Sequence, residues 1–248
     1  IGSLKVSNNA NSKCTMTINT ATINSMPSAG GGRSFHTLAN STFDNANGTI
    51  AFTSVSDQRI ELGSVADTKC FHHLTLSKSD NDVATFGNIR CEGNLSVTLA
   101  TDHTMRPNSA SETLTVDADC TIVEGILGYP SSTTSGAISF GSLTIESGGT
   151  YDATSGTTTI KGNASSSSNL ALNIDSNATF THNSGTILFD GTNTFGGSSY
   201  GHFYFGDKTF NDITINASGK FIQPRKSNDS TLDINGDLTI TAGQLSNY

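Results

Sequence analysis

Cysteine and histidine are the residue types of this chain best suited to metal binding or nucleophilic chemistry, and their spacing favours neither. The four cysteines are Cys14, Cys70, Cys91 and Cys120. They contain no C-x-x-C pair, so they lack the spacing of a zinc site. Among the six histidines only His72 and His73 are adjacent. Neighbouring strand residues point to opposite faces, so this pair is not expected to chelate one metal ion.

The cysteine spacing leaves two states open for the thiols. Cys120 falls where related segments of the chain carry small residues, which predicts a buried free thiol that behaves as a small apolar side chain. Cys91 precedes Cys120 by one full period of the repeat described below, and Cys70 precedes Cys91 by a shorter interval. Thiols in stacked turns of chain could therefore approach bridging distance, and a disulfide is the alternative prediction.

Acidic residues offer oxygen ligands at two places, Asp80-Asn81-Asp82 and the pair Asp117 and Asp119. Such oxygens suit calcium, but neither place has the G-G-x-G-x-D pattern of calcium-binding rolls. We predict no bound cofactor, with calcium as the one candidate and a solvated acidic edge as its alternative. A glycosidase or lyase needs two converging carboxylates, or a carboxylate and a base. The sequence brings no such groups together, so no catalytic residue is predicted.

The elements that carry these residues are predicted to be β-strands. Ser, Thr and Asn are abundant while Glu occurs only five times, and this composition is poor in helix formers. The net charge of −8 provides no broad basic surface for phosphates. We therefore predict no nucleic-acid partner and no binding to anionic membranes. No apolar run approaches the roughly 20 residues that a membrane-spanning helix needs.

The strongest signal in the sequence is a repeat that begins with an apolar-polar-apolar triplet. Copies starting at Leu114, Leu143 and Leu172 superimpose at equal intervals, and a fourth copy begins at Ile213 after a longer interval. Period-two alternation places the first and third residues of each triplet on one face of a strand. The predicted repeat core is Leu114, Val116, Leu143, Ile145, Leu172, Ile174, Ile213 and Ile215.

A unit of this length buries its apolar residues only by stacking on further copies, with a rise of about 4.8 Å per turn. We therefore predict an all-β, single-stranded β-solenoid, similar to a parallel β-helix, with coils of about 29 residues. The repeat is regular over residues 111–248 and irregular over 1–110, which divides the chain into two parts. A β-sandwich, or several sandwich modules in tandem, is the alternative, because alternating strands between frequent turns also describe it.

An aromatic insertion near residues 194–206 separates the third and fourth copies of the repeat. Insertions in solenoids commonly emerge as loops on a binding face, and large rigid rings supply contact area. We predict contact with a surface glycan or a neighbouring subunit through Phe195, Tyr200, His202, Phe203, Tyr204 and Phe205. The alternative is that Phe203 and Phe205 alternate inward as an additional core strand.

Three segments carry a resemblance to known families, at residues 140–149, 210–219 and 236–243. Their patterns, F-x-x-L-T-I-x-x-S-G and G-D-L-T-I-T-x-G, are similar to repeats of very long bacterial surface adhesins and of structural proteins from tailed phages. The resemblance implies an exposed β-solenoid and transfers no catalytic residue.

The repeats, the low charge and the lack of a catalytic constellation predict a non-enzymatic structural protein of an exposed assembly, namely a phage virion fibre, spike or capsid-decoration component on the virion surface that mediates assembly or attachment. Exposed coil ends offer unpaired strand edges that need capping, which predicts contact with other virion or surface subunits and a homo-oligomer. The family resemblance implies that this oligomer is a trimer. One alternative is the passenger segment of a bacterial cell-surface adhesin, which is extracellular. The other is a polysaccharide-degrading β-helix enzyme, which the wide scatter of arginines in the repeat disfavours.

Overall fold

The described part of the chain is built from β-strands alone. A computed structural model describes residues 4–6, 15–17, 20–23, 34–37, 42–53, 57–61, 69–79, 84–109, 111–128, 136–163, 170–225 and 231–246. Within these ranges no helix is long and apolar enough to cross a bilayer. In chain order the strands are β1 (Leu4–Val6), β2 (Thr15–Thr17), β3 (Ala21–Ile23), β4 (Phe35–Thr37), β5 (Thr42–Asp44), β6 (Thr49–Phe52), β7 (Gln58–Glu61), β8 (Lys69–Cys70), β9 (His73–Lys78), β10 (Ala84–Phe86), β11 (Ile89–Cys91), β12 (Leu95–Leu99), β13 (Thr104–Pro107), β14 (Leu114–Gly128), β15 (Ile138–Asp152), β16 (Thr157–Ile160), β17 (Leu170–Ile174), β18 (Thr179–Thr181), β19 (Thr186–Phe189), β20 (Tyr200–Tyr204), β21 (Thr209–Phe210), β22 (Asp212–Arg225), β23 (Asp233–Ile234) and β24 (Leu238–Leu245).

These strands stack in parallel and wind into a β-solenoid, which confirms the predicted fold class. Each coil contributes in turn to face 1, face 2 and face 3. Face 1 consists of β2, β5, β8, β11, β16, β19 and the first parts of β14, β15, β22 and β24. Face 2 consists of β3, β6, β9, β12, β17, β20, the middle parts of β14 and β15 and the last parts of β22 and β24. Face 3 consists of β1, β4, β7, β10, β13, β18 and the last parts of β14 and β15. It continues into β21 and β23, which form a separate two-stranded sheet and contact β18 through the rings of Phe180 and Phe210.

The register between coils agrees with the predicted repeat at one step and departs from it at another. Leu143 pairs with Leu172 on face 2, at the sequence separation that the repeat predicts. Leu114 lies on face 1 and pairs with Ile138, whereas the partner of Leu143 in that coil is Cys120. The prediction that Leu114 stacks on Leu143 is therefore wrong.

The fourth copy of the repeat also lies on a different face from the third. Ile213 pairs with Ile187 on face 1, while Leu172 belongs to face 2. Every face needs the same triplet, with two apolar side chains inward and a polar one outward. Similar triplets therefore occur on different faces, and their likeness does not reveal which face each one occupies.

One apolar core runs through the described coils from Ile23 to Ile222. The side chains predicted for the repeat core all lie within it, whichever face carries them. Rings from successive coils meet inside: Tyr151 stacks on Phe180 with centroids 6.2 Å apart, and Phe180 contacts Phe210 at 4.9 Å. Burial of each large side chain of this kind contributes about 1.5–3 kcal/mol.

The corners between faces are closed by polar side chains that bind the backbone of a neighbouring coil. Asn183 and Ser184 adopt positive φ angles of 45° and 59°, and the Asn183 amide donates to the Ala153 carbonyl at 2.8 Å. At Gly185 the coils come so close that a Cβ would lie 2.1 Å from the carbonyl oxygen of Thr154. Glycine is therefore required at this corner for steric reasons.

The N-terminal region is less regular, as predicted. The number of residues between register partners varies there, since the step from Leu4 to Phe35 is longer than the step from Phe35 to Ile60. Most strands of this region span only three or four residues. Its core is held by aromatic rings, with Phe35 centred 4.8 Å from Phe43 and 4.9 Å from Phe71. The boundary between residues 110 and 111 stays a prediction.

Candidate functional site

A charged cluster of Arg90, Asp117 and Lys161, which we call the charged corner, lies where face 1 turns into face 2. Arg90, at the middle of β11, donates to Asp117 Oδ2 through Nε at 3.0 Å and Nη2 at 2.9 Å. Lys161 Nζ lies 3.9 Å from the other oxygen of the same carboxylate. The Arg90 and Asp117 side chains are only 27% and 30% exposed. Two cations on one carboxylate join three coils and compensate its charge, which is a structural use of these groups.

Asp119 lies beside this cluster and is also bound by protein donors. Its Oδ1 accepts hydrogen bonds from the Ser142 hydroxyl and, at 2.8 Å, from the Asn163 amide. Its backbone N–H donates to Asn94 Oδ1 at 3.3 Å. The acids predicted as calcium ligands are thus engaged by neighbouring coils. Across the described ranges no group of three or more His, Cys, Asp or Glu side chains is placed to hold a metal ion, and residues 80–82 lie outside those ranges.

The rings of His72 and His73 lie together, so the prediction that they point to opposite faces is wrong. Their centroids are 4.4 Å apart at an interplanar angle of 77°. His73 is the first residue of β9 and His72 lies in the preceding bend, so strand alternation does not apply to the pair. His73 Nδ1 accepts the N–H of Asn94 at 2.9 Å. Burial, and then the neighbouring His72, lower the pKa of His73.

The cysteines that the structure describes are buried. Cys120 is a free thiol on face 2, as predicted, and pairs with Leu143. Burial, reinforced by the nearby Asp119 charge, raises the pKa of the Cys120 thiol far above its ordinary range. Cys91 lies on face 1, so these two side chains do not stack. Cys14 and the side chain of Cys70 lie outside the described part of the chain.

Residues 200–204 of the aromatic insertion form β20, a strand of face 2 whose Phe203 pairs with Leu172. The side chains of Phe195, Phe203 and Phe205 are 0%, 1% and 3% exposed. These three rings belong to the core, where neither a glycan nor a subunit reaches them. The structure thus places Phe203 inward, as the alternative prediction of an additional core strand has it.

Tyr200, His202 and Tyr204 face outward from the same strand and, with Phe221 and Arg225 of β22, form a patch that we call the outward strip. Tyr200 is 43% exposed, and its ring stacks on Phe221 with centroids 4.8 Å apart and planes within 16°. Arg225 Nη2 lies 3.0 Å from His202 Nε2. Phe221 covers one face of the Tyr200 ring. The groups that the outward strip presents to solvent are therefore the edges of its rings and its polar atoms. Contact through Tyr200, His202 and Tyr204 stays a prediction.

Two members of the outward strip were missed by sequence reasoning. Counted from the start of each copy of the repeat, Phe221 in the copy at Ile213 has the position of Tyr151 in the copy at Leu143 and of Phe180 in the copy at Leu172. Tyr151 and Phe180 both contact the core. In the structure β22 turns a corner between its face 1 and face 2 parts, and Phe221 pairs with Tyr200 on the outer side. The signal that could have placed Phe221 beside Tyr200 is their separation in the sequence, which equals the length of one short coil.

The last described rung presents apolar side chains to solvent. Leu238 and Ile240 of β24 are 45% and 48% exposed. Their register partners in β22, Ile213 and Ile215, are buried. Ile234 of β23 and Leu245 of β24 are partly buried against the same core. We call Ile234, Leu238, Ile240 and Leu245 together the β24 face.

No protein-family model, curated protein or solved structure matches this chain. The outward strip and the charged corner are thus the features on which a functional assignment depends. The charged corner is internally paired, whereas the outward strip presents side chains to the surroundings.

Proposed function

We propose that this chain is a non-enzymatic structural element of an exposed assembly, as a virion fibre, spike or capsid-decoration component. The observation that carries the proposal is the parallel stacking of coils, which joins residues from Ile23 to Ile222 in one core. Backbone hydrogen bonds run along the solenoid axis, and each rung adds about 4.8 Å of length. Such a body suits a rigid spacer that holds other components at a fixed distance.

The outer surface of face 2 supports this role. Outward positions in consecutive rungs carry Thr75, Ser96, Thr121 and Thr144 in direct register. These short hydroxyl side chains are partly exposed and uncharged, and they lose little conformational entropy when they are ordered on a strand. A regular polar surface of this kind keeps a long parallel sheet soluble.

The use of the ionisable groups also supports a structural role. A glycosidase or lyase site needs acids or bases left available to a substrate. At the charged corner Asp117 is bound by Arg90 and Lys161, while Asp119 is bound by Ser142 and Asn163. Each of these contacts ties one coil to another.

A cell-surface adhesin passenger is the second candidate, and the outward strip favours it. The exposed ring of Tyr200, with His202 and Arg225 nearby, provides rigid aromatic area together with hydrogen-bonding groups. Surfaces of that composition are typical of binding sites. This candidate differs from the first in where the protein is anchored.

Location distinguishes the two candidates directly. Antibodies raised against the purified chain are used for immunogold electron microscopy of virus particles and of cells from the same culture. We expect label at regular positions on the particle surface. Label confined to the cell envelope would favour the adhesin, and label confined to the cytoplasm would contradict both. Release of reducing ends from a panel of polysaccharides by the purified chain would contradict the non-enzymatic role.

A further inference from the structure

The corner where face 1 turns into face 2 carries hydrogen bonds that join the side chain of one coil to the backbone of the next. Thr20, His73 and Asn94 hold the same position in their coils, directly before the first inward residue of face 2. Thr20 Oγ1 accepts the N–H of Thr49 at 3.5 Å. His73 Nδ1 accepts the N–H of Asn94 at 2.9 Å, and Asn94 Oδ1 accepts the N–H of Asp119 at 3.3 Å. Each acceptor therefore ties its own coil to the following one.

His73 differs from the other two acceptors because a proton can remove its ability to accept. A backbone N–H only donates, so Nδ1 of His73 carries no proton in this contact, and the neutral ring has its proton on Nε2. A protonated imidazole donates from both nitrogens and accepts at neither. The hydroxyl oxygen of Thr20 and the amide oxygen of Asn94 keep their lone pairs throughout the range in which histidine titrates.

The His73 ring is packed against the coil that it binds. A Cβ on Gly93 would lie 2.6 Å from Nδ1 of the ring and 2.7 Å from its Cε1, so the ring lies directly on the backbone of the next coil. Rotation of the ring by half a turn would place Cδ2, which is no acceptor, against the Asn94 N–H. A protonated ring therefore has no orientation at this place that satisfies that N–H.

The charged and titratable groups around His73 come from its own bend and from the coils that follow. The ring of His72 lies with its centroid 4.4 Å away. Glu92 lies at the corner of the next coil, where its N–H donates to the Phe71 carbonyl at 2.8 Å. Asp119 lies one coil further on, and its carboxylate accepts from Ser142 and Asn163. On the preceding coil, the residues that contact the backbone of His73 or pair with it are the neutral Gly48 and Thr49.

We propose that His73 is a pH-sensitive switch at the corner between β9 and β12, closed when its ring is neutral and open when the ring is protonated. In the open state the Asn94 N–H loses its acceptor, and two N–H groups directed at each other force the ring away from Gly93. Leu74 N–H still donates to the Asn94 carbonyl, so the strands stay paired and the opening is confined to the corner. The switch follows from the register of these coils and is independent of where the protein is located.

Nuclear magnetic resonance of the full chain measures both states of the switch. At pH 7 we expect the His73 ring in the tautomer with its proton on Nε2, as read from the shifts of the ring nitrogens. As that ring becomes protonated, the protection of the Asn94 amide against exchange, corrected for the intrinsic rate at each pH, should fall by about threefold to tenfold. The amide of Val97, a buried residue of the same strand, should keep its protection.

Three substitutions separate the switch from general effects of acid. His73→Asn places an amide oxygen where Nδ1 was, as Asn94 does for Asp119, and should keep the Asn94 amide protected at pH 5. His72→Asn removes the neighbouring charge and should move the transition to higher pH. His182→Asn is the matched control, because His182 Nδ1 accepts the N–H of Ser184 within its own turn at 3.0 Å. That variant should leave the response of the Asn94 amide unchanged.

Three results would each refute the switch. The first is a His73 ring that carries its proton on Nδ1 at pH 7, and the second is an Asn94 amide whose protection stays constant while the ring titrates. The third is the same loss of protection in His73→Asn as in the unmodified protein. An equal loss at Val97 would also contradict the proposal, because acid would then unfold the whole coil. Circular dichroism verifies that each variant is folded, and the first two measurements decide the question on the unmodified protein alone.

Discussion

Leu143 and Leu172 are register partners on adjacent parallel strands of face 2, and both side chains are fully buried. The two residues stand one complete coil apart, so each contributes to a core that neither coil could form alone. Their contact represents the interaction that holds the solenoid together, in which apolar side chains are stacked along the axis and polar ones point outward.

Truncation of either side chain of the Leu143–Leu172 pair should destabilise the folded protein. We expect Leu172→Ala to lower the free energy of unfolding by about 2–5 kcal/mol, because a cavity remains between packed coils. Asn173→Ala, at the next position but facing outward, should change it by less than about 0.5 kcal/mol. Urea denaturation followed by circular dichroism measures both. Equal losses for the two variants would contradict the assigned inward and outward positions.

The residues of β20 should separate into two classes. Phe203→Ala should destabilise the protein by about 3–5 kcal/mol, since that ring is 1% exposed among Phe189, Phe205 and Phe210. Tyr200→Ala removes an exposed ring and should cost less than about 1.5 kcal/mol, the value of its stacking on Phe221. Thermal unfolding of both variants is the measurement. A greater loss for Tyr200→Ala would show that the strand faces the other way.

The fold class was predictable because alternation and turn residues are local properties of the sequence. The triplets beginning at Leu143 and Leu172 gave both the strand and its inward face correctly. The face occupied by Leu114 was not predictable. The number of residues in a coil depends on the loops at its corners, and the sequence of a triplet does not indicate how long those loops are. The step along the chain from Leu114 to its partner Ile138 is shorter than the step from Leu143 to Leu172.

The aromatic site was predictable only in part, for a related reason. The concentration of five aromatic residues in residues 194–206 indicated a contact site. Only some of these rings are on the surface, because successive residues of a strand point alternately to the core and to solvent. Phe221 and Arg225, which complete the outward strip, come from the next coil. Only the register between coils brings them beside Tyr200 and His202.

The lowered pKa of His73 should make stability depend on pH. The folded state keeps this ring neutral to a lower pH than the unfolded chain, whose histidines titrate at about 6.5. Stability is therefore fully present above that value and decreases as pH falls below it, because the unfolded state binds the proton more readily. His73→Gln should reduce the loss between pH 7 and pH 5. An unchanged pH dependence in that variant would assign the effect to other groups.

The buried thiol of Cys120 should be chemically inert while the protein is folded. Its raised pKa and complete burial leave almost no accessible thiolate. We expect iodoacetamide to leave Cys120 unmodified in native buffer and to modify it fully in urea, as shown by peptide mass spectrometry. Rapid alkylation in native buffer would contradict its place on the inner side of face 2.

Two pairs of substitutions with the same sequence separation test the stacking most directly. Thr144 and Asn173 are outward register partners on face 2, whereas Thr115 lies on face 1 opposite Ser139. Thr115 and Thr144 are as far apart along the chain as Thr144 and Asn173. Neighbouring parallel strands hold paired residues about 4.8 Å apart, within the range that a disulfide bridges.

The measurement is the yield of intramolecular disulfide after mild oxidation of each double variant, read by mass spectrometry of the crosslinked peptides. The solenoid described above predicts efficient bridging in Thr144→Cys with Asn173→Cys and none in Thr115→Cys with Thr144→Cys. Bridging in the second pair and its absence from the first would show that the coils repeat at a constant interval along the sequence and would contradict the three-faced arrangement.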